Sequence, residues 1–140
     1  MNHIINFELD GINTSQTFID RYSLSHITHG VLFYFVFKNI SFTKKYSLSL
    51  TIILEIIWEW FENTPYVIKK YRTNPEYDNY KGDSILNIIG DIIFTVIGYF
   101  IADYTPIAAI IMIIILEIIL IPFKANFLKL SIGSLLKDSS

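Results

Sequence analysis

Glu55, Glu59 and Glu62 fall three and four residues apart in a run otherwise made of isoleucine, leucine, tryptophan and phenylalanine. On a helix that spacing puts all three carboxylates on one face. Asp83, Asn87 and Asp91 repeat the device at four-residue steps, and His26 and His29 add two imidazoles three apart, with Tyr22 one turn earlier on the same side. Carboxylates held close together cannot all ionise cheaply, so they share protons, bind a cation, or meet lysine and arginine. Two imidazoles with several carboxylates form a ligand set suited to zinc, manganese or iron, whereas carboxylates alone suit magnesium or calcium. The candidate metal ligands are therefore His26, His29, Glu59, Glu62, Asp83 and Asp91, holding a divalent metal, with Glu55, Glu59 and Asp91 as candidate catalytic groups. Tyr22, Asn63, Arg72, Lys81, Ser84 and Asn87 would stand around them, supporting ligands or meeting substrate. There is no HExxH pair and no aspartate-rich calcium loop, so the spacing does not identify the metal.

Each of these residues also has a structural reading. Asp83, beside Gly82, could cap a helix, and Asn63 and Asn87 could hydrogen-bond between helices. His26 and His29 could be residues of a membrane boundary, and Glu62 could form a surface pair with Lys69 or Lys70 that contributes little energy. Glu117 stands alone in apolar sequence and reads as structural, paired to a Tyr or Asn. Gly30, Gly90 and Gly98 read as points where helices approach closely.

Four apolar stretches must position these groups, each near the 20 or so residues that cross about 30 Å of hydrocarbon. They run from about 24 to 42, 47 to 63, 83 to 102 and 107 to 123. Pro65 should end the second, because proline inside a helix removes a backbone bond and clashes with the preceding turn. Thr64 with Pro65 reads as an N-cap and first-turn pair, which opens a short interfacial helix within the 65–82 loop. Gly82-Asp83-Ser84 reads as the start of the third span, and 103–106 as a tight hairpin before the fourth. The tail 124–140 alternates lysine with leucine, isoleucine and phenylalanine, as a segment lying along a membrane surface would. The expected fold is thus all-α, one membrane domain over residues 1–140: a polytopic bundle of about four transmembrane helices with short interfacial helices. In that topology His26 and His29 begin one span, Glu59 and Glu62 end the next, and Asp83 begins the third, so all converge at one membrane face.

Composition agrees with that reading. Of 140 residues, 52% are hydrophobic and only 17% charged, with a mean hydropathy of +0.45. Cysteine is absent, which removes disulfides, thiolate ligands and cysteine nucleophiles. No basic excess supports nucleic-acid binding. The first twenty residues lack the charged start and apolar run of a signal peptide, so insertion is expected to rely on internal segments. Eight of the 11 Lys and Arg residues fall on the side of the cluster and three (Lys38, Lys44, Lys45) on the other, which predicts both termini in the cytoplasm.

The run Asn13-Thr14-Ser15-Gln16, then Asp20 to His26, then His29-Gly30 with Phe33-Tyr34, resembles an uncharacterised family of small bacterial multi-pass inner-membrane proteins. The likeness continues through Glu55, Trp58-Glu59, Glu62 to Pro65, Tyr71-Arg72, Tyr80, Gly82 to Ser84, Asn87 and Asp91, and covers about residues 13 to 103. The His, Glu, Asp and Asn pattern is more distantly similar to the VanZ-like group. The resemblance implies a multi-pass membrane protein and brings no established activity. Family members carry a further apolar helix ahead of the Ser-Gln element, and a histidine where this chain has Thr17.

A charged side chain at the centre of a spanning helix costs about 3 kcal/mol on insertion scales, so these acids should face inward. The expectation is a membrane-embedded, metal-dependent hydrolase or transferase acting on a lipid or lipid-linked phosphate, with membrane lipids as partners and with Arg72 and Lys81, on the loop above the cluster, attracting phosphate in that reading or else neutralising the acids. A cation or proton transporter component and a structural or assembly protein are the alternatives. Towards the far face the polar residues noted are few, Thr51, Thr95 and Glu117, which favours a one-sided site.

Overall fold

The structure is a computed structural model that describes residues 4–7 and 15–129. Its described helices are α1 (Ser23–Asn39), α2 (Ser47–Glu62), the short α3 (Pro65–Tyr71), α4 (Ile85–Tyr104) and α5 (Pro106–Leu120). Two residues of β1 (Ile5–Asn6) pair in parallel with β2 (Ile19–Asp20). The surface tail expected over 124–140 lies outside the described residues from residue 130 onward.

Local chemistry accounts for the helix starts. Asp20 anchors the entry to α1: its Oδ1 accepts from the backbone N–H of Tyr22 (2.8 Å) and Ser23 (3.0 Å), and its Oδ2 from that of Ser15 (2.8 Å). The first two bonds satisfy donors that a helix start leaves without partners, and the third ties the preceding segment to the same carboxylate. Thr64 caps α3, its hydroxyl accepting from the N–H of Val67 at 3.4 Å, with Pro65 in the first turn. The cap of α4 is Ser84, which accepts from the N–H of Asn87 at 3.1 Å. Asp83 is thereby spared the capping role and turns its carboxylate elsewhere. The expected hairpin at 103–106 contracts to Thr105 alone, because α4 continues to Tyr104 and α5 begins at Pro106.

Only α4, at 20 residues, is long and apolar enough by itself to cross a membrane among the described residues. Helices α1, α2 and α5 have 17, 16 and 15 residues.

The packing of α1 on α4 depends on missing side chains. A Cβ on Gly30 would overlap the Thr95 carbonyl oxygen, and one on Gly98 would overlap that of Ile27. The two backbones touch reciprocally through these glycines. Helices α2 and α5 complete the bundle against this pair.

The distribution of polarity is inverted relative to a protein that folds in water. Among the described residues, buried polar and charged side chains outnumber buried apolar ones, and include Glu55, Glu59, Asn87, Asp91, Thr51 and Thr95. Meanwhile Ile53, Ile56, Ile57 and Trp60 of α2, Ile89, Ile93 and Ile97 of α4, and Ile111, Ile114 and Ile118 of α5 all face outward.

Candidate functional site

The N-terminal half of α1, the C-terminal half of α2 and the first turns of α4 meet at one end of the bundle, which brings the predicted histidines and acids together. Glu55, fully buried, is held by both imidazoles. Nδ1 of His26 lies 2.5 Å from its Oε1, and Nδ1 of His29 lies 2.9 Å from its Oε2. With Nδ1 donating to Glu55, a neutral His26 keeps its lone pair on Nε2, the nitrogen that lies 3.7 Å from Oδ2 of Asp91. A carboxylate that fixes the tautomer of a histidine in this way is a recurrent support for metal ligation.

Glu59 is one helical turn further along α2. Its Oε1 lies 3.6 Å from Nδ1 of His26, a distance too long for a hydrogen bond. Neither oxygen of Glu59 has a hydrogen-bond partner, and neither does Oδ1 of Asp91, although both residues are buried. A buried acceptor left without a partner costs about 1–3 kcal/mol, and more when it is charged. His26, Glu59 and Asp91 each offer a ligand atom within 4.8 Å of the others. That combination, one imidazole with two carboxylates of unmet bonding capacity, fits a divalent cation.

Above this triad, Glu59 also groups with Glu62 and Asp83 within the same 4.8 Å limit. Both outer acids are positioned by neutral donors. The Tyr71 hydroxyl donates to Oε1 of Glu62 (2.8 Å), and the Tyr80 hydroxyl donates to Oδ2 of Asp83 (2.9 Å). Burial raises both phenols above their ordinary value, which keeps them as donors. Asn63 clamps Asp83 twice: its side-chain amide donates to Oδ2 (2.8 Å), and its Oδ1 accepts from the Asp83 N–H (2.6 Å). Gly82 makes the second bond reachable, since its φ of +93° turns the chain back and a Cβ there would meet Oδ1 of Asn63.

The remaining predicted site residues are spread more widely. His29 stands behind Glu55, its ring among Phe33, Trp58 and Phe127, and it shares a candidate ligand group with His26 and Glu55 only. Asn87 donates from its side chain to the carbonyl of Thr17 (2.9 Å) and so ties α4 to the segment before α1. Tyr22 packs edge-on against Tyr77, accepting from Arg21 at 2.6 Å, beside the tyrosines rather than the histidines. Ser84 caps α4. Arg72 is exposed and donates to the carbonyl of Tyr80 (2.6 Å), and Lys81 is exposed. Glu117 accepts from the backbone N–H groups of Phe127 (2.7 Å) and Leu128 (3.2 Å), not from a Tyr or Asn. It thereby holds the segment whose Phe127 ring lies against His29.

One arrangement escaped the sequence reading. Ser47, Thr51, Glu55 and Glu59 are all buried at four-residue steps on α2, as are Asn87, Asp91, Thr95 and Tyr99 on α4. The two rows are joined at the far end, where the Ser47 and Tyr99 hydroxyls lie 2.6 Å apart. The signal was the regular spacing itself, continued through hydroxyl residues that pass individually for helix packing.

A family model described as "Protein of unknown function (DUF2585)" matches residues 3–137. The chain is 40% identical over 104 residues to the UPF0314 protein Atu8092 of Agrobacterium fabrum, covering 69% of this chain and 52% of that one. It is 36% identical over 134 residues to the UPF0314 protein RL4541 of Rhizobium johnstonii, covering 92% and 63%. A UPF0314 protein of Novosphingobium aromaticivorans is 35% identical over 106 residues, covering 71% and 54%. The chain spans about half the length of curated relatives such as the first and last of these. No solved structure matches it.

Proposed function

The chain belongs to the DUF2585 family of proteins of unknown function, and from the site it carries we propose a multi-pass inner-membrane protein that holds a divalent cation between His26, Glu59 and Asp91. The function follows from that centre: metal-dependent hydrolysis or group transfer at a lipid or lipid-linked phosphate, on one membrane face. The single observation behind the reading is the convergence of two buried carboxylates with unmet bonding capacity on a histidine whose tautomer Glu55 fixes.

The inverted polarity supports the membrane part. Rows of outward isoleucine on α2, α4 and α5 have no favourable exposure to water, whereas hydrocarbon accepts them and drives the polar row inward. Helices of 15 to 17 residues are about 22 to 26 Å long at 1.5 Å per residue, and flanking turns such as Lys44–Tyr46 ahead of α2 make up the remainder. The cluster's end of the bundle also carries Lys69, Lys70, Arg72 and Lys81, which supports a cytoplasmic orientation of that face and the attraction of phosphate.

A bound divalent cation supplies Lewis acidity and lowers the pKa of coordinated water. The chain's own groups then divide the work. Glu55 and His29 hold the His26 ring, Glu59 and Asp91 supply negative charge, and Tyr71, Tyr80 and Asn63 keep Glu62 and Asp83 directed towards the same space. Elemental analysis of detergent-purified protein tests the reading. Stoichiometric metal in the wild type, lost in Glu59→Gln and Asp91→Asn proteins of unchanged helicity, is expected. A folded wild type free of metal after incubation with Zn2+ or Mn2+ would overturn it. Phosphate release from lipid phosphomonoesters and lipid-linked pyrophosphates, with and without chelator, then tests the reaction.

The buried rows on α2 and α4 favour a second reading, movement of protons or cations. They extend from Glu59 and Asp91 to the Ser47–Tyr99 pair near the opposite end, beyond where a one-sided site needs polar groups. Proteoliposomes loaded with a pH-sensitive dye test it. A flux driven by an imposed potential and reduced in Tyr99→Phe would support conduction, and tight vesicles would exclude it.

A further inference from the structure

Glu59 belongs to both carboxylate groups, the inner one with His26 and Asp91 and the outer one with Glu62 and Asp83. We infer that the site holds two divalent cations bridged by the Glu59 carboxylate. This rests on the metal-site reading above and specifies its stoichiometry and outer ligands.

The two unpartnered oxygens of Glu59 carry the inference. The residue is 2% exposed, and a single cation on one side would leave the other oxygen buried beside two more carboxylates, to be balanced by shared protons or by a second cation. Among the described residues, the salt bridges to the carboxylates of the site come from His26 and His29, not from lysine or arginine. The outer acids have instead been given neutral donors, one phenol each and an asparagine for Asp83, which bring no positive charge of their own. Three carboxylates within 4.8 Å, the outer two positioned by neutral donors and, among the described residues, none paired with lysine or arginine, match the oxygen-rich half of a two-cation centre.

The halves also differ in chemistry. The inner position has an imidazole and suits zinc, manganese or iron. The outer has oxygen ligands only and stands nearer the end of the bundle, so its cation should be the more readily exchanged and the first to meet a phosphate oxygen. A carboxylate bridge holds two cations about 3.5–4 Å apart, the spacing with which two-metal sites clamp a phosphoryl group.

Manganese supplies the test. Detergent-solubilised full chain is stripped with chelator, reloaded with Mn2+, and measured for bound metal and by electron paramagnetic resonance. Two ions per chain with an exchange-coupled spectrum are expected. The double variant Glu62→Gln, Asp83→Asn should hold one ion with the signal of isolated Mn2+, and Glu59→Gln should lose both. One ion in the wild type, unaffected by the outer double variant, overturns the two-cation inference and leaves the inner site standing. No ion in folded wild type overturns the metal reading itself. Two uncoupled ions, or one retained in Glu59→Gln, overturn the bridge. Because the wild type alone distinguishes two, one and none, a variant that fails to fold does not remove the test.

Discussion

Oε1 of Glu55 lies 2.5 Å from Nδ1 of His26, and the same carboxylate reaches Nδ1 of His29 at 2.9 Å through its other oxygen. One acid thus fixes two imidazoles, and through the first it decides which nitrogen faces Asp91. The proposed cation site depends on this relationship, since a rotated His26 would present an N–H where a cation held with Glu59 and Asp91 requires a lone pair.

Replacing Glu55 with glutamine keeps the volume and removes the charge. An amide can donate as well as accept, so it no longer enforces one tautomer on His26. Metal affinity should fall about 10- to 100-fold, the usual effect of losing an orienting partner, while helicity remains. Competition titration with a chromophoric chelator measures it, and an unchanged affinity would remove Glu55 from its orienting role.

Asn63 holds Asp83 through two bonds, 2.8 Å and 2.6 Å, in a half-buried position. Asn63→Ala should therefore destabilise the fold by about 1–3 kcal/mol, because it strands the Asp83 N–H and leaves Oδ2 with the Tyr80 hydroxyl alone of its two donors. Asn63→Asp should be worse, placing like charges in contact. Thermal unfolding in detergent, followed by circular dichroism, gives the order. Equal stability of the Ala and Asp variants would count against the clamp.

Much of this arrangement is legible in the sequence and part of it is not. The i, i+4 spacing of Glu55 with Glu59, and of Asn87 with Asp91, fixes which residues share a face, since helical geometry alone decides that. Thr64-Pro65 announces α3 for a similarly local reason. What spacing cannot give is the rank of the groups. Glu55 as the group that holds both histidines, His29 as a residue enclosed by aromatic rings, and Asp83 as the target of Asn63 and Tyr80 all depend on contacts between elements far apart in sequence. Ser84 took the capping role weighed for Asp83 because one residue decides where α4 begins.

Ser84→Ala removes the side-chain N-cap of α4. A loss of about 1 kcal/mol is expected from the missing bond to the Asn87 N–H. Because Asp83 immediately precedes the helix, fraying there should also weaken the outer cation position, so metal affinity should drop further than stability alone predicts. Ser84→Thr, which retains the hydroxyl, should restore both. Unfolding and Mn2+ titration of the two variants side by side measure it, and a Ser84→Ala protein with unchanged metal binding would separate the cap from the site.

Gly30 and Gly98 face the backbone of the opposing helix, Gly30 against Thr95 and Gly98 against Ile27. A methyl group at either position cannot be absorbed by rotating a side chain, because the obstruction is a carbonyl oxygen. Helices α1 and α4 must separate or slide. Overpacking of this kind costs about 1–3 kcal/mol or more, and Gly30→Ala and Gly98→Ala should each lower the melting temperature. Separation of the helices would also move His26 away from Asp91, since His26 lies one turn before Gly30 on α1 and Asp91 one turn before Thr95 on α4. The expected result is therefore a combined loss, in stability and in metal affinity, from residues that touch no ligand. Gly90 provides the contrast: a Cβ there would meet the carbonyl of Phe18, outside the α1–α4 crossing. Gly90→Ala should destabilise the fold with a smaller effect on the His26–Asp91 distance. If Gly30→Ala melted like the wild type with full metal binding, the glycine contact would not be what sets the geometry of the site.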